Sequence, residues 1–246
     1  MRRTPFRAVL LGARARATRH LREADRQLDA RRFRAVEATS EPLRAAIFRL
    51  RHHLYVDVMG VLAPDHPLAA GGMFRDAFDA YSTLLALFYE HTLVGTLRIT
   101  TSREGPLELE TYRCLTPYRR PEQVACEFQR LMILPEYRCV AATRELLVSA
   151  IRLAMRRGAT QLFGAARVGN LGRLFQNVGA QVLDPAPFRF AFVPGAEYQL
   201  IGVDLGEPRS LRRWTIVTGV GMWSVLARHR PRRALRMSRR EFAGRS

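Results

Sequence analysis

The chain contains no lysine: its 40 basic residues are all arginine, set against 22 acids over 246 residues. That skew reads as genome composition and carries no functional weight. Cysteine is scarce as well. Cys114, Cys126 and Cys139 are odd in number and fall 12 and 13 residues apart, without a histidine nearby in any metal-site pattern. This excludes a zinc or disulfide framework and leaves reduced thiols in a cytosol as the expectation. No stretch reaches the roughly 18 consecutive apolar residues of a membrane-spanning helix, and the N-terminus lacks the uninterrupted apolar core of an export signal. An Arg-rich organellar transit peptide is the one targeting alternative. Internal repeats and low-complexity segments are absent.

What is present is a composition fit for a folded core, 48% apolar, with its charge unevenly placed. Residues 1–34 hold 11 Arg against 3 acids and residues 207–246 hold 11 against 2, whereas residues 35–206 hold 18 against 17. Three parts follow: a basic amphipathic extension (1–34), a near-neutral α/β domain (35–206) and a basic tail (207–246). Thr4 and Pro5 make a helix start, after which Phe6, Leu10, Ala13, Ala17, Leu21, Ala24 and Leu28 form a thin apolar stripe. The tail carries "WTIVTGVGMWSVLA", with Trp214 and Trp223 at its ends. Basic arms of this kind suit an anionic partner: lipid headgroups, nucleic acid or an acidic protein.

Between the arms, "FRAVEA" alternates as a strand, and Ser40 and Pro42 open a helix that runs to Gly60. A Pro/Gly-rich loop at 61–72 is followed by "FRDAFDAYS", then by strands at "TLLALFYE", "HTLVGTLRIT" and "VACEFQRLMIL". "TRELLVSAIRLAMRRG" reads as an amphipathic helix with a glycine stop, "TQLFGAA" as a buried strand, "NLGRLFQNVG" as a short helix and "YQLIGVDL" as a last strand. The order predicts a mixed α/β (α+β) domain. Within it "CEFQRLMILPEYR" is anomalous, because an apolar strand carries Glu127, Gln129 and Arg130 where unpaired burial is heavily penalised. A polar network lining a site would resolve the anomaly.

Four patterns in fixed order, "FRLRHHLYVDVMG" (48–60), "FRDAFDAYS" (74–82), "VGTLRI" (94–99) and "CEFQRLMI" (126–133), resemble the long-chain N-acyl amino acid synthases. They resemble the acyl-homoserine-lactone autoinducer synthases more distantly, both families sharing the GNAT acyltransferase fold. The resemblance covers roughly residues 35–205. It implies a cleft built from Arg51, the D-x-x-D pair Asp76 and Asp79, Arg98, and the E-x-x-R pair Glu127 and Arg130. It further implies a fatty acyl donor carried on acyl carrier protein as a phosphopantetheine thioester, no bound cofactor or metal, and an amino acid or similar amine as acceptor.

The ordinary coenzyme A pattern is broken in two places. Where glycines would let backbone N–H groups approach a pyrophosphate, residues 138–143 read "RCVAAT". The position often filled by a tyrosine acid falls on Phe175. Both departures fit a protein-borne thioester. Amine attack needs a proton acceptor, for which Glu127 is the candidate, and donors for the developing oxyanion, for which the backbone N–H groups at Leu131 and Met132 are suited if the strand is bulged. Asp76, Asp79 and Arg98 would shape and polarise the cleft. Arg51 would bind the acceptor carboxylate or brace the cleft, and Tyr55, Gln129 and Arg130 would lie against substrate. Simple alternation puts Glu127 and Arg130 on opposite strand faces, so that Arg130 would meet Asp76 or Asp79; a bulge would undo that parity. His52 and His53 point apart and read as structural or surface residues.

The expected function is therefore N-acyl transfer in the cytoplasm, with the arms engaging an acidic carrier protein or the inner membrane surface. The alternatives are an acyl-homoserine-lactone-type synthase and a non-catalytic basic nucleic-acid-binding protein. The last is disfavoured because the arms lack interleaved aromatics and any known nucleic-acid-binding signature.

Overall fold

The computed structural model describes residues 28–120, 122–168, 180–190 and 195–206. The N-terminal helix expected from Thr4, but for Leu28, lies outside them, as do Phe175 in the helix expected at "NLGRLFQNVG" and the tail from 207. Among the described residues seven strands form one sheet: β1 (Phe33–Glu37), β2 (Thr83–Tyr89), β3 (Thr92–Thr101), β4 (Val124–Ile133), β5 (Ala159–Arg167), β6 (Gln181–Phe188) and β7 (Tyr198–Asp204). Their order is β1-β2-β3-β4-β5-β7-β6. Neighbours pair antiparallel except β4 and β5, which run parallel. A parallel pair needs a long crossover. Here it contains the helix Val140–Arg156, designated α2, whose Leu146, Ala150, Ile151 and Ala154 pack onto Leu85, Leu97, Ile99 and Cys126 of the sheet.

The first helix, α1 (Glu41–His52), has Pro42 in its first turn and Ser40 at the N-cap position, although the Ser40 hydroxyl makes no capping bond. It loosens into a π-turn over His53–Val58 and ends at Gly60, whose φ of +58° lies in the left-handed region that glycine enters without strain. Ile47, Arg51, Leu54 and Tyr55 recur at three- and four-residue spacing and are all buried. One arginine therefore rides on the apolar stripe into the interior. The helix expected from Thr143 starts earlier, at Val140, because the Cys139 thiol caps it by accepting the Ala142 N–H at 3.3 Å.

One strand escapes the sequence reading. β6, "QVLDPAPF", contains Pro185 and Pro187, and proline breaks a ladder. It survives because, among the described strands, β6 pairs only with β7 at the edge of the sheet, where a missing N–H breaks no second ladder.

Gly95 of "VGTLRI" marks a close approach. A Cβ there would lie 2.8 Å from the Met132 carbonyl oxygen and 3.2 Å from Ile133 Cγ1. Gly95→Ala is expected to destabilise by about 1–3 kcal/mol as backbone is pushed aside, seen as a lower urea midpoint at unchanged m-value.

Candidate active site

The D-x-x-D pair folds first on itself. Asp76 accepts the Phe78 N–H at 3.0 Å through Oδ1, and Asp79 accepts the Asp76 N–H at 2.9 Å through Oδ2. This reciprocal capping box begins the 3₁₀ turn Ala77–Ala80. It also fixes both carboxylates in one direction, towards three arginines from three different elements.

Arg51 of α1 reaches Asp79 Oδ1 at 2.8 Å through Nη1. Arg98 of β3 bonds Asp76 and Glu108 and lies 3.3 Å from Asp79 Oδ1. Arg130 of β4 donates to Asp76 Oδ2 at 2.8 Å and to Glu108 Oε1 at 2.7 Å. Three arginines thus meet three acids, and Arg51 and Arg98 are fully buried. Burial alone would push the Asp79 carboxyl up, but the guanidiniums of Arg51 and Arg98 overcome it and hold that carboxyl below its ordinary value. Arg51, expected either to bind the acceptor carboxylate or to brace the cleft, is buried, with its Nη1 on Asp79.

Glu108 belongs to this set and was missed from sequence. In "PLELET" the acids Glu108 and Glu110 alternate with leucines, and nothing in the pattern separates them. Folding does. Glu110 accepts the Leu107 N–H at 2.9 Å and pairs with Arg119 at 3.1 Å, whereas Glu108 is buried between Arg98 and Arg130.

The β4 strand is bulged. Its register with β3 steps from Gln129↔Arg98 to Met132↔Thr96, leaving Arg130 and Leu131 across from Leu97. Arg130 takes φ +55°, a left-handed conformation that is uncommon for a non-glycine residue. The parity of simple alternation is therefore broken. Arg130 does meet Asp76, as expected, but on the side where Glu127 also lies, with Glu108 joining the two. Glu127 Oε1 accepts the Glu108 N–H at 2.6 Å and Oε2 accepts the Leu109 N–H at 3.0 Å. As a fourth acid beside three arginines it has no cation of its own among the ion pairs of the described residues. Burial pushes its carboxyl up to about 7, Glu108 adds to the rise, and the two N–H bonds and Arg98 only partly oppose it.

Beyond the register pair Glu127↔Phe163 the parallel β4 and β5 no longer pair. Between the strands lies a cavity of about 270 Å³. Phe128, Leu147, Leu162, Phe190 and Ile201 supply apolar wall, and Tyr55, Gln129, Arg130 and Leu131 also line it. Met132 lies outside the lining, packed with Leu54, Tyr55, Leu62 and Phe74. Phe74 holds the Tyr55 ring at a centroid distance of 4.7 Å. His53 is exposed and faces Asp57 at 2.9 Å, away from the network. Among the described residues no His/Cys/Asp/Glu group could hold a metal ion, and no helix is long and apolar enough to cross a membrane.

The same mixed-sheet fold is found in solved acyltransferases. The solved structure of FeeM, an N-acyl amino acid synthase from uncultured soil microbes, superposes with a TM-score of 0.59 at 18% identity, covering 73% of this chain and 94% of that one. MesI, a CoA-dependent acyl-homoserine lactone synthase, gives 0.57 at 17% identity over 77% of this chain and 96% of its own. TofI, solved in a ternary complex with an inhibitor and MTA, gives 0.56 at 19% identity over 74% and 96%. No curated protein sequence matches. The family model described as N-acyl amino acid synthase FeeM matches residues 46–197, a span that contains every member of the arginine–acid network, and the chain belongs to that family of acyltransferases.

Proposed function

We propose that this acyltransferase moves a fatty acyl chain from acyl carrier protein to the amine of an amino acid or a closely related acceptor. The observation that carries this reading is the cavity between β4 and β5, apolar along its walls and bordered by Arg130 of the charged network. An acyl chain fits the walls, and its thioester would then lie near the bulge. There the Leu131 N–H supplies an oxyanion donor, with Met132 next along the strand; one such donor is worth about 10²–10³-fold. Glu127, poised near neutral pH, takes the proton shed by the amine through an intervening water, since its own carboxylate is fully buried. Asp76, Asp79 and Arg98 act by holding Arg130 and the bulge in place. The carbonyl carbon gains the nitrogen, the thiolate leaves on the phosphopantetheine arm, and the proton passes to Glu127.

The start of α2 favours a carrier-borne donor. Its first turn carries no glycine, and the Ala142 N–H is already taken by the Cys139 thiol, so a pyrophosphate finds a poor cradle there. The fold itself does not choose, because MesI is CoA-dependent. Acyl carrier protein is also acidic, which suits the Arg-rich arms; an anionic inner membrane surface is the competing partner for them. With matched acyl chains, kcat/KM is expected to be far higher for acyl carrier protein than for coenzyme A, and equal values would remove the donor assignment.

A further inference from the structure

A second hollow, of about 560 Å³, opens on the Asp76–Asp79 side of the network. Glu41, Arg44 and Phe48 of α1 form one wall; Arg75, Asp76 and Asp79 form much of the other. The carboxylates of Asp76 and Asp79 are already matched by Arg51, Arg98 and Arg130. The remaining charges are Arg44 and Arg75 against Glu41, whose side chain is 91% exposed and 3.9 Å from Arg44. Arg44 is committed: Nη2 donates to the Asp79 carbonyl at 2.6 Å, and its guanidinium lies 5.9 Å from the Phe48 ring centroid. Arg75 is not. Among the described residues it has no acid within ion-pair distance, although Asp76 is its neighbour in sequence. An exposed, uncommitted arginine on the rim of a hollow is suited to a carboxylate, which a guanidinium grips with two parallel N–H bonds.

We propose that Arg75 selects the acceptor by binding its carboxylate, which makes this hollow the recognition site for an amino acid as opposed to a plain amine. The inference rests on the acyl-transfer reading and goes further by naming the specificity residue. Asp76 lines this hollow and pairs at 2.8 Å with Arg130, which lines the acyl cavity, so a carboxylate held at Arg75 leaves the amine of the same molecule on the side of the hollow that faces the thioester. Arg75 is a positioning residue for the acceptor and takes no part in bond making.

The test offers the full-length enzyme, with acyl carrier protein as donor, an equimolar mixture of the twenty amino acids and their decarboxylated amines, and reads the products by mass spectrometry. Wild type is expected to acylate the amino acid in preference to its matching amine. In Arg75→Ala that preference is expected to fall at least about tenfold, the scale of one charge-assisted contact, and Arg75→Lys should recover part of it. Thermal unfolding of each variant controls for folding. Unchanged preference in a folded Arg75→Ala, or a wild type that takes amines and amino acids alike, overturns the inference while leaving acyl transfer standing. Absence of any acylated product from wild type instead overturns the reading on which it rests.

Discussion

Arg98→Met is expected to unfold the domain at temperatures where wild type is stable. The variant keeps the length of the side chain and removes its charge, leaving Asp76, Asp79 and Glu108 short of a shared partner in the interior. Stranding buried charge in this way costs about 3–5 kcal/mol. For a domain of this size that corresponds to a fall in Tm on the order of 10 °C. Arg32 and Glu90 also form a close pair, but both side chains are about half exposed, so Arg32→Ala should change Tm by very little. Equal effects from the two substitutions would mean that the network does not bear on stability. Acid should act in the same direction as Arg98→Met. The Asp79 carboxyl is held below its ordinary value of 3.8, so its stabilisation is present above that pH and disappears as pH falls through the lowered folded value.

Glu127→Gln is expected to cost at least about 10²-fold in kcat, the scale of a lost general base. The pH profile distinguishes this from loss of shape. With its carboxyl near 7, wild-type activity should fall as pH drops below 7, and that limb should vanish in Glu127→Gln. Retention of the limb together with near-wild-type turnover would return Glu127 to the role its contacts already show, that of anchoring the Glu108–Leu109 backbone. Stability moves the other way. A carboxyl raised from 4.5 to about 7 favours the fold fully below pH 4.5 and loses that contribution as pH rises through 7, so Glu127 and Asp79 pull the acid stability of the domain in opposite directions.

Much of this was legible before folding because it is local. Strand alternation, the proline-opened helix α1 and the glycine stop after α2 are written in short windows, and the four motifs placed Arg51, Asp76, Asp79, Arg98, Glu127 and Arg130 in a single cleft. What stayed hidden depends on distant partners. β6 could not be read because its prolines are tolerated only at an edge, and which strand is at the edge is a property of the whole sheet. Glu108 could not be told from Glu110 because only Arg98 and Arg130, ten and twenty-two residues away, distinguish them. The bulge stood in the sequence reading only as a condition on the oxyanion site and on strand parity. No period of two can announce the residue at which it fails.

Arg130 ties together two properties that a sequence would otherwise vary separately. Its left-handed backbone is part of the bulge beside the cavity-lining Leu131, and its side chain balances Asp76 and Glu108. Glycine would suit the backbone best and would strip the acids of their counter-charge. An uncharged side chain would fill the space but meet the same torsional penalty without the ionic return. Drift at this position is therefore closed from both sides, and the residue is expected to change only in company with Asp76 and Glu108, as a single inherited unit.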